Sequence, residues 1–216
     1  NKNNFLLDSK KRLQMRFEGK IGVDMRYSTK SAYGKIKKKR LIKVSKKIKI
    51  LIAAHCFSDS PHSYGYNIFD DFYDWIENLG IISEKTDYDW YVKTHPDYIE
   101  SSKLTLIKLI KKYPKIKMLP SHASHNQLIK EGIDYVLTCY GTIAHEYAAR
   151  NITVINASIN NPHIAYNFNL NPRSKSQYIK ILSNLPNIKF KINTKKVYEF
   201  YYMRYLQNAN NWLIED

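Results

Sequence analysis

Two cysteines in 216 residues, Cys56 and Cys139, give no basis for a disulfide framework, and without a CxxC pair no zinc-binding pattern stands out. That usage suits a reducing cytoplasm. No stretch approaches the roughly 20 consecutive apolar residues of a membrane-spanning helix. There is no GxGxxG and no Walker-type loop, so the sequence offers little support for dinucleotide or P-loop binding. His122 and His125 stand three apart, but no partnering Cys or Asp pattern makes them a metal site. Acidic residues are also scarce: 19 Asp+Glu against 35 Lys+Arg, for a formal charge of +16. Such a surplus favours an anionic partner, whether nucleic acid, a membrane surface or a phosphate-bearing substrate. No signal-peptide pattern is visible. The chain starts at Asn1 rather than Met, however, and reads as part of a longer protein.

What is present is an ordinary globular interior, with 44% hydrophobic residues. Residues 1–46 are polar and basic, broken by Gly19, Gly22 and Gly34, and read as a linker or the end of an upstream domain. The densest basic run is residues 35–49 (KIKKKRLIKVSKKIK), expected to be a solvated segment, with attraction to an anionic membrane surface as the second reading.

From Lys47 onward short apolar runs alternate with helical periodicity. Residues 48–54 (IKILIAA) form a continuous apolar run, the pattern of a strand buried on both faces. Residues 67–79 follow with helical spacing, and Gly80 is expected to stop that helix. Further strands are expected at 89–93, 116–119, 134–138 and 152–155. Helices are expected at 101–112, 125–131, 141–150, 174–184 and 194 to about 211. The alternation implies an α/β fold with a parallel sheet and helices on both faces. Ligands bind such sheets outside the carboxyl ends of the strands, so the loops after the strands should carry the chemistry.

Four of the seven histidines fall in those loops: His55, His62, His95 and His122. Gly141-Thr142, at a strand-to-helix turn, can offer backbone N–H groups, a hydroxyl and a helix dipole to an anion. Glu146 lies one turn further along the same face and can accept from two ribose hydroxyls. His95 precedes Pro96 at a strand end, placed to donate to a phosphate. Asp70-Asp71 is expected inside a helix. Asp87-Tyr88-Asp89 precedes a strand at the wrong sheet edge, so neither is expected to hold a metal.

Together FSDSPH (57–62), VKTHP (92–96), MLPSHASHNQLI (118–129) and DYVLTCYGTIAHEYAARNITVI (134–155) resemble the capsule polysaccharide biosynthesis family, which includes Kdo transferases. The likeness extends less securely to residues 16–33 (RFEGKIGVDMRYSTKSAY). The resemblance implies the Rossmann-like C-terminal half of a two-domain GT-B glycosyltransferase. Residues 47–216 would bind a nucleotide-sugar donor, with CMP- or CDP-activated donors favoured by the His-Pro motif. Residues 1–46 would link to, or end, an upstream acceptor domain.

It further implies that Lys93, Thr94 and His95 bind the donor nucleotide, with His95 contacting its phosphate and cytidine portion. Gly141 and Thr142 would take the phosphate, Glu146 the ribose, and Pro120 and Ser121 the base. Asp59 and His62 would face the donor sugar beside His95 as the reacting groups. No metal or other cofactor is expected. The acceptor would be a polysaccharide or lipid-linked glycan, and the site of action the cytoplasm or the inner face of its membrane. GT-B enzymes usually draw their base from the other half, so this chain alone is expected to transfer poorly. Rival readings are a nucleotide-sugar epimerase of similar fold, a CDP-activated phospho-group transferase and a nucleic-acid binder. The last is disfavoured because the basic run carries no interleaved aromatics.

Overall fold

The computed structural model describes residues 4–24, 28–95 and 98–207. Five strands, β1 (Lys49–Ala54), β2 (Asp89–Thr94), β3 (Ile116–Met118), β4 (Tyr135–Thr138) and β5 (Thr153–Asn156), form one sheet in the order β3-β2-β1-β4-β5. Every pairing is parallel. The chain winds outward from β1 to β3, then returns beside β1 as β4. The strand order therefore reverses between β1 and β4, opening a crevice at their carboxyl ends.

The sheet is buried on both faces because its strands are apolar at successive positions, not alternate ones. Ile50, Ile52, Trp90, Val92 and Leu137 face α2 (Phe72–Lys85), α3 (Glu100–Ile110) and α6 (Lys175–Leu182). Leu51, Tyr91, Val136 and Val154 face α4 (His125–Lys130) and α5 (Ile143–Ala149). Two further helices, α1 (Asn4–Phe17) and α7 (Thr194–Tyr205), pack on each other beside α5. Leu13, Phe17 and Tyr33 meet Tyr201 there, and the Ser9 hydroxyl donates to the Tyr198 carbonyl at 3.0 Å.

Several helix boundaries differ from the sequence expectations. Residues 67–71 are not helical: Ile68 N–H donates to the Ala157 carbonyl (3.1 Å), tying this segment to the loop after β5. Asp71 is the N-cap of α2, its carboxylate accepting from Asp74 N–H at 2.7 Å. Gly80 does not end α2, which continues to Lys85. Its missing side chain is needed for packing instead, since a Cβ there would lie 2.2 Å from the Tyr113 ring. The helix expected at 101–112 is α3, which starts one residue earlier, after Ile99, and ends at Ile110. The expected extension of the last helix to about residue 211 lies partly outside the described residues.

Candidate functional site

A cleft of about 310 Å³ opens at the carboxyl ends of β1, β2 and β4, where the strand order reverses. Its floor comes from Ala54 and His55 after β1, Lys93, Thr94 and His95 at the end of β2, and Thr138 to Thr142 around the end of β4. Its other wall comes from before the sheet: Arg16 at the end of α1, then Lys20, Lys30 and Tyr33. Of the residues expected in the site, Asp59, Lys93, Thr94, His95, Gly141, Thr142 and Glu146 line this cleft. His62 does not. It is exposed, accepts from Asn67 N–H through Nδ1 at 3.4 Å, and has its ring against Tyr66. Pro120 and Ser121 are exposed in the β3–α4 loop and do not line the cleft either. Pro96 lies outside the described residues.

Lys93 is the most informative side chain. It is 2% exposed, and its ammonium donates to the Thr94 carbonyl at 3.2 Å. Among the described residues no carboxylate forms an ion pair with it. Burial alone pushes its pKa down from 10.5 to about 8. A cation held in low dielectric without a counter-charge costs stability unless an anion arrives. Nearby His125 adds no charge: burial first, then Lys93 and His95, push its pKa well below the usual value. Its Nδ1 lies 2.8 Å from the Tyr147 hydroxyl.

The turn after β4 is built around His55. Its Nε2 accepts from Cys139 N–H (3.2 Å) and lies 3.0 Å from the Thr138 hydroxyl oxygen, so the lone pair is on Nε2 and the proton on Nδ1. Burial, with His95 second, pushes its pKa down to about 3, which keeps that tautomer neutral. The ring stacks on Phe72 at 4.6 Å and meets Tyr140 at 4.7 Å. Thr138 Oγ1 also accepts from Gly141 N–H at 3.3 Å. The Gly141 N–H is therefore engaged within the turn, contrary to the expectation that it stands free for an anion. Thr142 is the N-cap of α5, yet its hydroxyl makes no capping bond to its own helix.

Glu146 is 3% exposed. One carboxylate oxygen accepts from the Arg16 guanidinium, and the other from the Tyr33 hydroxyl at 2.6 Å. Arg16 is steadied in turn by donating to the Val23 carbonyl at 2.7 Å. Burial first, then the adjacent Glu146 charge, pushes the Tyr33 phenol well above its usual pKa and keeps it a donor. Glu146 lines the cleft, and each of its oxygens has the capacity to accept a second hydrogen bond. Arg16 and Tyr33 were not singled out from the sequence. The one signal was that both lie in the 16–33 stretch of the weaker family resemblance, residues 25–27 of which lie outside the described residues.

Among the described residues, no group of three or more His, Cys, Asp or Glu side chains is arranged to hold a metal ion. None of the described helices is long and apolar enough to cross a membrane.

No family model and no curated protein sequence matches the chain. Among solved structures it is similar to KpsC of Thermosulfurimonas dismutans, a beta Kdo 2,4 transferase, with a TM-score of 0.58 and 11% identity. The match covers 94% of this chain and 56% of that one, so the chain spans a little over half the neighbour's length. At that identity the likeness is one of fold: a Rossmann-like parallel sheet with helices on both faces, shared with that Kdo transferase.

Proposed function

We propose that the cleft binds the nucleotide part of an activated sugar, and that the chain is the donor-side half of a GT-B glycosyltransferase of capsular or surface polysaccharide assembly. The observation that carries this reading is Lys93, a buried ammonium with no carboxylate partner among the described residues, at the strand-order reversal where α/β sheets bind ligands. The fold shared with KpsC supports it. In this reading residues 47–216 form the body of the donor-binding unit, and residues 1–46 are part of it rather than a linker, since Arg16 and Tyr33 complete the cleft wall.

The chemistry follows from the leaving group. Breaking a sugar–phosphate bond leaves negative charge on phosphate oxygens. In this reading Lys93, the His95 ring and the Thr142 hydroxyl, all in the cleft lining, receive it without a divalent metal. Glu146, held between Arg16 and Tyr33, takes the ribose hydroxyls. Asp59 is exposed in the cleft lining, and in this reading it faces the donor sugar. The donor is a cytidine nucleotide sugar and the acceptor a polysaccharide or lipid-linked glycan.

A thermal-shift panel of CMP, CDP, UDP and GDP tests this directly. At a concentration about 100 times Kd, a cytidine nucleotide should stabilise the chain by ~2.7 kcal/mol, roughly a 5–10 °C rise in Tm. UDP and GDP should shift it less, and His95→Ala should need about tenfold more ligand for the same shift. If no nucleotide raises the Tm, the reading fails.

A further inference from the structure

We infer that residues 35–49 form a docking strap for an anionic lipid surface, with Ile36 and Val44 as its apolar contacts. The strap carries nine Lys or Arg and no Asp or Glu. It lacks regular secondary structure until β1 begins at Lys49, yet it is not a loose solvated tail. Its main chain is fastened along its length. Gln127 accepts from Lys37 N–H (3.2 Å) and donates to the Lys39 carbonyl (2.8 Å). One Glu131 oxygen accepts from both Leu41 N–H (2.8 Å) and Ile42 N–H (2.7 Å). The Tyr91 hydroxyl accepts from Lys43 N–H at 2.9 Å, and the Ile42 side chain is buried beneath the strap.

These bonds use the backbone of the strap; of its nine cations, Arg40 turns back to the Ile42 and Glu131 carbonyls and Lys49 to the Ser45 and Lys47 carbonyls. Lys35, Lys37, Lys38, Lys39, Lys43 and Lys46 are exposed and form no ion pair among the described residues; Lys47 pairs with Asp87. A loop held this firmly presents cations in a fixed array. Two aliphatic side chains stand out among them, Val44 at 76% and Ile36 at 48% exposed. Fixed cations interspersed with exposed aliphatics suit a surface of phosphate headgroups over an apolar layer. A nucleic-acid face would instead offer aromatic side chains for bases to stack on, and the strap has none. This inference stands apart from the nucleotide cleft and does not depend on it.

The test is co-sedimentation of the full chain with vesicles of phosphatidylcholine alone or with added phosphatidylglycerol. Binding should require phosphatidylglycerol and weaken as salt rises. The triple replacement Lys37→Glu, Lys38→Glu, Lys39→Glu should lower the partition coefficient roughly a hundredfold or more, from about 1 kcal/mol lost per basic residue. Lys43→Glu with Lys46→Glu serves as a second variant should the first melt early. Ile36→Ser with Val44→Ser should weaken binding without changing its salt dependence. Equal binding to both vesicle types, or binding unchanged by the charge reversals, overturns the proposal. So does displacement from vesicles by a single-stranded RNA oligomer that binds the chain more tightly.

Discussion

Glu146→Ala should cost about 3–5 kcal/mol of folding stability, the loss expected when one partner of a buried ion pair is removed. Both partners are well shielded, with side-chain exposures of 14% for Arg16 and 3% for Glu146. Without the carboxylate, the guanidinium faces the cleft without its counter-charge and the Tyr33 hydroxyl loses its acceptor. The cost should therefore come mostly from what is left behind. Removing both charges together, as Arg16→Met with Glu146→Leu, should recover a large part of it. Urea denaturation of the two single variants and the double variant measures this. If the double variant loses as much as the two single variants combined, the pair is not coupled as described. The pair also joins α1 to α5 across 130 residues, so its loss should loosen the cleft wall built from residues 16–33.

Lys93→Met should have the opposite effect on stability. In the folded chain Lys93 holds its proton only up to about pH 8, whereas the unfolded lysine holds it to 10.5. Between those values the unfolded state binds more protons, so the lysine's destabilising contribution fades as pH rises through that window. Below it both states are protonated and the full cost remains, about 3 kcal/mol for that shift. Lys93→Met should thus be about 2–3 kcal/mol more stable than the wild type near pH 7, with the margin shrinking towards zero by about pH 10. Comparing the two proteins at each pH cancels the titration of the buried tyrosines. The same replacement should weaken nucleotide binding by about ten- to a hundredfold, as a charged hydrogen bond is worth about 1.5–3 kcal/mol. A gain in stability with a loss of binding is the mark of a residue kept for a ligand. A variant that is both less stable and equally able to bind nucleotide would assign Lys93 a purely structural role.

Much of the sheet was legible because strands buried on both faces are written as unbroken apolar runs. Residues 48–54 and 89–93 each fall within one residue of β1 and β2. The alternation of strands and helices then led to the crevice at the carboxyl ends. Helix ends were harder. Gly80 looks like a stop signal locally, and only the Tyr113 ring, brought in from after α3, explains why a glycine stands inside α2.

The cleft was legible where its residues sit directly after strands, as Lys93 to His95 and Gly141-Thr142 do. It was not legible where the partner is distant. Nothing around Arg16 indicates that its guanidinium meets Glu146, and nothing around Pro120 and Ser121 shows that they point away from the cleft. The basic run at 35–49 looked like a solvated segment because charge is visible in sequence, while the Glu131 and Gln127 bonds that fasten its backbone are not.

The central claim is that the cleft between β1, β2 and β4 receives a nucleotide. The most direct test is an amide chemical-shift map of the labelled chain titrated with CMP. The account predicts saturable shifts centred on Lys93, Thr94 and His95, on residues 138–146, and on Tyr33. Shifts confined to the basic strap at 35–49, or no saturable shifts at all, would contradict it.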